Sequence, residues 1–272
     1  VKIDYSRKIP KTILTPATGY LTGYNYTLNP YTGCAFACSY CYVRRMPIAL
    51  FRGQEWGTWV EMKQHATELL RRDLKKAKKK GPVTIFMSSS TDPYQPLEYK
   101  EQVTRALLEV MAVNQPDFLF VQTRSPLVTR DIDLFAELKD RIRISVTVET
   151  DLEEIRKTFT PFAPPIAARL QALKRLRAAG LPVQATLSPV LPFSKKFPGK
   201  LAEIVDRVCV DDYFRGDGSG GRRTEKLGIR RIYERLHLEE WYQKETIEKV
   251  VEELKETFDE SRILLSQQGF LP

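Results

Sequence analysis

Short apolar runs along this chain alternate with longer amphipathic stretches, and the alternation repeats several times. Tyr24, Tyr26 and Leu28 fall on every second position and predict a first strand over 22–28. Val60, Met62, Ala66, Leu69, Leu70 and Leu74 form one apolar face of a helix predicted over 58–80, which Gly81-Pro82 stops. Strands are then predicted at 83–87, 118–122, 142–148, 183–187 and 208–210. Helices are predicted at 100–114, 131–140, 165–179 and 201–206, the third closed by Gly180. Strands that alternate with helices argue parallel β/α units wound with one hand. Six units rather than eight predict an α/β fold, an open partial (β/α)6 TIM-type barrel. No repeat of fixed period is visible, which excludes a solenoid.

The two ends differ in texture from this middle. Residues 1–21 are a basic, Pro-punctuated arm, 22–212 the (β/α)6 core, and 213–272 a Gly-rich loop with a C-terminal helical extension. The loop, FRGDGSGGRRT over 214–224, reads either as a lid or substrate-contact segment or as an unstructured connection. It lacks the lysine and spacing of a phosphate-binding loop. An amphipathic helix predicted over 239–258 covers an open flank of the core.

Hydrophobic residues make up 42% of the 272 positions, an ordinary globular share. No apolar run approaches the ~20 residues that cross a bilayer. The first residues carry no apolar stretch or cleavage site of a secretory signal. Net charge is +9 and uneven: residues 1–80 hold 15 Lys+Arg against 5 Asp+Glu, a net of +10, which leaves −1 for the rest. Such asymmetry marks either a nucleic-acid face or a solvated helix end, because Arg71, Arg72, Lys75, Lys76, Lys78, Lys79 and Lys80 cluster where cations favour the helix dipole.

Candidate chemistry concentrates in 29–45, NPYTGCAFACSYCYVRR. Three of the four cysteines, Cys34, Cys38 and Cys41, fall there as C-x3-C-x2-C. Three is odd and Cys209 is remote, so a disulfide framework fits poorly. Thiolates so close together suit one soft metal centre and a reducing compartment, which predicts a cytoplasmic protein. Structural zinc takes four protein ligands and would have to recruit Cys209, His65 or His237. Three thiolates on a four-iron cluster instead leave one iron open. A non-catalytic zinc- or cluster-dependent nucleic-acid-binding module is the reading of a different class.

C-x3-C-x2-C with aromatic Tyr40 before its last cysteine resembles the signature of radical S-adenosylmethionine (SAM) enzymes. Together with SSSTDPYQPLE over 88–98 and QTRSPLVTRD over 122–131, the cysteine segment looks like that of the spore photoproduct lyase-like group, and the resemblance runs over about 20–212. It implies a [4Fe–4S] cluster on Cys34, Cys38 and Cys41 and SAM on the open iron. It further implies reductive cleavage of SAM to a 5′-deoxyadenosyl radical that abstracts hydrogen from a substrate, with nucleic acid the first candidate. A one-electron reductant such as flavodoxin or ferredoxin is implied as partner, and a membrane is not.

In barrels of this kind sites lie just beyond the C-terminal ends of the strands. Ser88, Ser89, Ser90, Thr91 and Asp92 follow the second strand and are expected at the SAM amino group, or as a turn and helix cap. Arg124, beside Ser125, resembles the family's lysine that meets the SAM carboxylate, with a two-pronged donor. Ser145 aligns with a serine that contacts SAM, and Glu149 is expected at a ribose or substrate hydroxyl, or as the ion-pair partner of Arg169. Tyr40 is expected against adenine and Tyr42 as a shield of the cluster. Where the lyase has a hydrogen-donating cysteine, 88–92 has only serines and threonine. An O–H bond is too strong to serve as that donor, so the lyase reaction itself is not expected. Cys209 is expected as a core thiol.

Overall fold

The six predicted strands lie side by side in chain order in a computed structural model that describes residues 2–272. Among the described residues eleven strands are present: β1 (Asp4–Lys8), β2 (Leu14–Pro16), β3 (Tyr26–Leu28), β4 (Tyr31–Thr32), β5 (Trp59–Lys63), β6 (Thr84–Met87), β7 (Phe118–Thr123), β8 (Ile142–Thr147), β9 (Val183–Leu187), β10 (Arg207–Val210) and β11 (Ile263–Leu265). The main sheet runs β11-β10-β9-β8-β7-β6-β3-β2. From β3 to β11 each neighbour is parallel, with Leu28 opposite Met87, Val121 opposite Ile144 and Val146 opposite Ala185. β2 closes one edge antiparallel to β3. The sheet does not meet itself, and the architecture is the open barrel that six β/α units imply.

Period-two alternation sorts the side chains of this sheet. Ile85, Met87, Leu119, Val121, Ile144, Val146, Val183, Ala185, Val208 and Val210 point outward into the main core. Against them pack Leu70 and Leu74 of the helix Ala66–Lys78, Leu107 and Met111 of Val103–Val113, Leu173 and Leu176 of Ile166–Ala178, and Val250 and Leu254 of Thr246–Lys255. The last of these does cover a flank of the core. The alternate positions line the concave face. At one end they are aromatic, with Phe86 and Phe120 stacked at 5.1 Å and Phe270 edge-on to both. At the other they are polar and buried, namely Ser145, Thr147, Gln184 and Thr186.

Three expectations are corrected. The predicted helix 58–80 is two elements. Its first residues form β5, which pairs with β1 and β4 in a separate three-stranded sheet, and the helix starts only at Ala66, after His65 in the left-handed conformation (φ 54°). Val60 and Met62 fit a helical stripe, but they pack on Tyr31 and Ala35, and strand pairing prevails. The short helix predicted at 201–206 sits earlier, at Phe197–Ala202. The predicted helix 239–258 is a 3-10 turn, Glu239–Trp241, followed by Thr246–Lys255. Helices at Glu153–Phe159, Arg222–Lys226 and Ile229–Leu236, and the strand β11, are additional. Among the described residues no helix is long and apolar enough to cross a membrane.

Candidate active site

The cysteine loop leaves β4 and is pinned from three sides. Gly33 has φ +84°, and a Cβ there would lie 2.5 Å from the carbonyl oxygen of Trp59 and 2.8 Å from its ring, so only glycine lets the loop rest on β5. Arg44 reaches back, its Nε donating to the Cys38 carbonyl at 2.9 Å and its Nη2 to that of Ala37 at 2.7 Å. Ser39 N donates to Phe159 O at 2.9 Å, so the helix Glu153–Phe159, which the sequence did not reveal, holds the loop from the far side. Cys34 and Cys38 are buried, Cys41 is half-buried, and all are free thiols.

Residues 88–92 at the end of β6 serve both as a turn and as cavity wall. Tyr42 Oη donates to Ser89 O, Asn29 bonds both Ser89 Oγ and Ser90 N, and Thr91 Oγ1 donates to Gly33 O at 2.5 Å. Asp92 is spent on joining strand ends, accepting from Tyr94 N, Thr123 Oγ1 and Arg124 N. Burial raises its carboxyl above the ordinary value even though Thr123 and Arg124 N oppose this. Ser88 differs from its neighbours. Its backbone is left-handed (φ 85°) and its buried Oγ has no hydrogen-bond partner.

Beneath the loop, Glu149 joins three groups. Its Oε1 accepts from Tyr40 Oη at 2.5 Å and lies 3.2 Å from Arg124 Nη2, while Oε2 lies 2.7 Å from Arg169 Nη1. Burial pushes this carboxyl up, but Arg169, Arg124 and the Tyr40 hydroxyl outweigh it and hold Glu149 below its usual range. Arg124 Nη1 also donates to Cys38 Sγ, so the guanidinium bridges the loop and the carboxylate.

These elements enclose a cavity of about 570 Å³ at the C-terminal ends of the strands. Cys34, Cys38, Cys41, Tyr40, Tyr42, all of 88–92 and Arg124 line it. The fold keeps three expected residues off this wall. Ser125 Oγ caps the 3-10 helix Pro126–Asp131 through Leu127 N, Ser145 Oγ pairs with Thr186 Oγ1 at 2.6 Å, and Glu149 is only 1% exposed behind Arg124. Cys209 lies against Ser266 O in the core, and neither it, His65 nor His237 lines the cavity. Among the described residues no three His, Cys, Asp or Glu side chains converge on the point a single ion would occupy.

The sequence reading missed several lining residues. Gln122 presents an unpartnered Oε1, with its amide donating to Thr147 at 2.6 Å. Asp211 follows β10 directly, and the strand-end rule applied to the other strands pointed to it. It accepts from Tyr20 Oη at 3.1 Å. The Gly-rich loop is folded, not loose. Asp217 accepts from Ser219, Gly221, Arg223 and Thr224 amides, and Gly216, Asp217, Gly218, Arg223 and Thr224 face the cavity. The lysine cluster belongs elsewhere, since Lys75 to Lys80 end a helix that runs antiparallel to β6 and therefore lie at the opposite end of the sheet.

The donor set suits a cluster. Burial pushes all three thiols up, Cys38 to about 11 even beside Arg124, so a proton-bearing sulfur is what the protein surroundings alone favour and a cationic metal centre is what would displace those protons.

The description "Radical SAM superfamily" matches residues 28–196 of this chain. The chain is 34% identical over 172 residues to an uncharacterized protein of Methanocaldococcus jannaschii, covering 63% of this chain and 62% of that one. It is 34% identical over 187 residues to an uncharacterized protein of Acidianus two-tailed virus (66% and 59%), and 30% over 173 residues to one of Mycobacterium tuberculosis (62% and 50%). The match thus spans less than two thirds of the length of each of these relatives. Among solved structures, a spore photoproduct lyase variant with bound AdoMet and dinucleoside spore photoproduct is similar with a TM-score of 0.66 at 13% identity, covering 96% of this chain and 81% of that one. Streptococcus suis SuiB bound to S-adenosylmethionine is similar at 0.51 and 14% identity, covering 77% and 44%. At these identities the likeness is one of fold. With the family match spanning more than half its residues, the chain belongs to the radical SAM superfamily.

Proposed function

We propose that this chain is a radical SAM enzyme in which Cys34, Cys38 and Cys41 hold a [4Fe–4S] cluster and SAM occupies the adjoining cavity. The observation that carries the proposal is that the three cysteines, residues 88–92 and Arg124 line one cavity at the ends of neighbouring parallel strands. Its volume lies within the range of small-molecule sites, roughly 300–1,000 Å³. When bound, the cluster supplies the electron that cleaves SAM to methionine and a 5′-deoxyadenosyl radical, which abstracts hydrogen from the substrate. The protein's own residues bind, orient and exclude water. The unpartnered Ser88 Oγ and Gln122 Oε1 are acceptors for the SAM amino group, and Arg124 is the donor for its carboxylate. Tyr40 and Tyr42 wall the cysteines from solvent, each fixed by the hydrogen bond of its hydroxyl.

Nucleic acid is the substrate class we favour, from the likeness of fold to spore photoproduct lyase with its dinucleoside ligand. Reversal of spore photoproduct is not part of the proposal. Among the described residues the thiols lining the cavity are the three cluster cysteines, with no further thiol to return hydrogen to a product radical. Reductive chemistry of this kind fits the cytoplasm and a flavodoxin- or ferredoxin-like donor.

Anaerobic reconstitution tests the reading: about four irons per chain are expected. Reduced protein with SAM should release 5′-deoxyadenosine, and Cys38→Ala should abolish the release. Losing the Arg124 contact in Arg124→Ala should weaken SAM binding on the order of 10- to 100-fold. One zinc and negligible iron after careful anaerobic handling would overturn the proposal.

A further inference from the structure

The geometry points to a docking site for an acidic one-electron carrier protein in the groove behind Trp56, whose indole separates that groove from the cysteine cavity. This rests on the proposed function, because a redox centre on the cysteines is what requires an external electron. The carrier is oxidised by one electron and the centre reduced by one.

A second hollow, of about 340 Å³, opens on the outside of the cysteine loop, with Arg44, Arg45, Leu50, Gln54, Trp56 and Leu227 in its wall. Trp56 belongs to this wall and to that of the cavity. Trp56 is only 5% exposed, and its ring stands at 90° to that of Trp59, with centroids 5.8 Å apart. The following residue, Gly57, lies so close to the loop that a Cβ there would be 2.3 Å from Ala37 Cβ. One side-chain thickness therefore separates groove from cysteines, whereas the sheet and its outer helices stand between the cavity and the opposite surface. Electron transfer slows exponentially with distance, so a carrier must approach on the thin side.

The chemistry of the groove selects the kind of partner. Leu50 in the groove wall is 53% exposed, and Ile48 and Phe51 beside it in the chain are 42% and 86% exposed, three large apolar side chains within four residues, while the other exposed large apolar residues are scattered. Arg44 and Arg45 stand in the wall of the groove, while Arg52 nearby is ion-paired with Glu61 at 3.1 Å. The helix Arg222–Lys226 packs beside the Tyr42–Arg45 turn and adds exposed Arg222 and Lys226 against Glu225. Exposed apolar side chains next to basic ones are complementary to a protein whose redox group emerges through an apolar patch ringed by carboxylates. A polyanion alone would use the arginines and leave Ile48 and Leu50 in water.

Reconstituted enzyme and a purified bacterial flavodoxin provide the test. Leu50→Ser with Phe51→Ser, and separately Arg45→Glu, should each weaken flavodoxin binding by about tenfold or more, measured by calorimetry. Flavodoxin-driven release of 5′-deoxyadenosine should fall in step, while iron content and dithionite-driven release stay at the unmodified level. Unchanged flavodoxin affinity in both variants would overturn the proposal. So would loss of duplex DNA binding in Arg45→Glu with flavodoxin binding intact. Should dithionite yield no 5′-deoxyadenosine from the unmodified protein while these substitutions still weaken flavodoxin binding, the SAM reading falls and the docking site stands.

Discussion

Arg124 Nη2 lies 3.2 Å from Glu149 Oε1, a buried ion pair that ties the end of β7 to the end of β8 directly beneath the cysteine loop. Glu149 shares its other oxygen with Arg169, which is fully buried and comes from the helix Ile166–Ala178. One carboxylate therefore balances two guanidinium groups, and the surplus positive charge faces Cys38 through Arg124. Such a cluster holds the loop in place, and Arg124 offsets part of the burial that keeps the Cys38 sulfur protonated.

Replacing the shared carboxylate should be costly because it strands two charges out of water. For Glu149→Ala we expect a loss of about 3–5 kcal/mol, the usual consequence of removing one partner of a buried pair. Denaturant unfolding of the metal-free protein reads this directly. A loss under ~1 kcal/mol would mean that Arg169 finds other partners and that the bridge is not structural.

Asp211 should make stability depend on pH in the direction opposite to most carboxylates. Burial raises its pKa to about 7, with Asp212 adding to the rise and hydrogen bonds from Ser266 and Tyr20 opposing it. An unfolded aspartate titrates near ~3.9, so the protonated form is the one the fold favours. That stabilisation is complete below about pH 4 and is lost as pH rises through about 7. Asp211→Asn keeps the shape without the charge, and relative to the unmodified protein it should gain about 2–3 kcal/mol between pH 5 and pH 8. A difference that stays flat with pH would refute the assignment.

Two glycines near the loop share a left-handed backbone but differ in surroundings, which separates conformational strain from collision. Gly53 (φ +73°) has open space where a Cβ would go, whereas at Gly33 (φ +84°) a Cβ would meet Trp59. Gly53→Ala should cost only the backbone term, about 1–2 kcal/mol. Gly33→Ala should cost a further 1–3 kcal/mol or so from overpacking and should lower iron uptake as the loop is lifted from β5. Equal unfolding midpoints and equal iron content in the two variants would show that the Gly33 contact is not decisive.

Spacing along the chain was sufficient for what is local. Cys34, Cys38 and Cys41 sit within one loop, so their proximity needed no fold to be seen, and β6 to β10 were legible because each buries apolar side chains against outer helices. Placing residues just after strands also found 88–92 and Arg124, since parallel strands carry their C-terminal ends to one side. Tertiary structure decided which of those residues face the cavity. Ser88 and Ser125 both follow strands, yet backbone at φ 85° turns Ser88 inward while Ser125 is consumed as a helix cap. It also made a strand of 59–63, whose apolar pattern suits a helix until β1 and β4 pair with it. Contacts such as Tyr20 with Asp211, 191 residues apart, exist only because successive crossovers bring both edges of an open sheet around one hollow. Side-chain chemistry and short-range spacing are written in the sequence, but register and closure are collective properties of the packed sheet, and they determine which groups share a cavity.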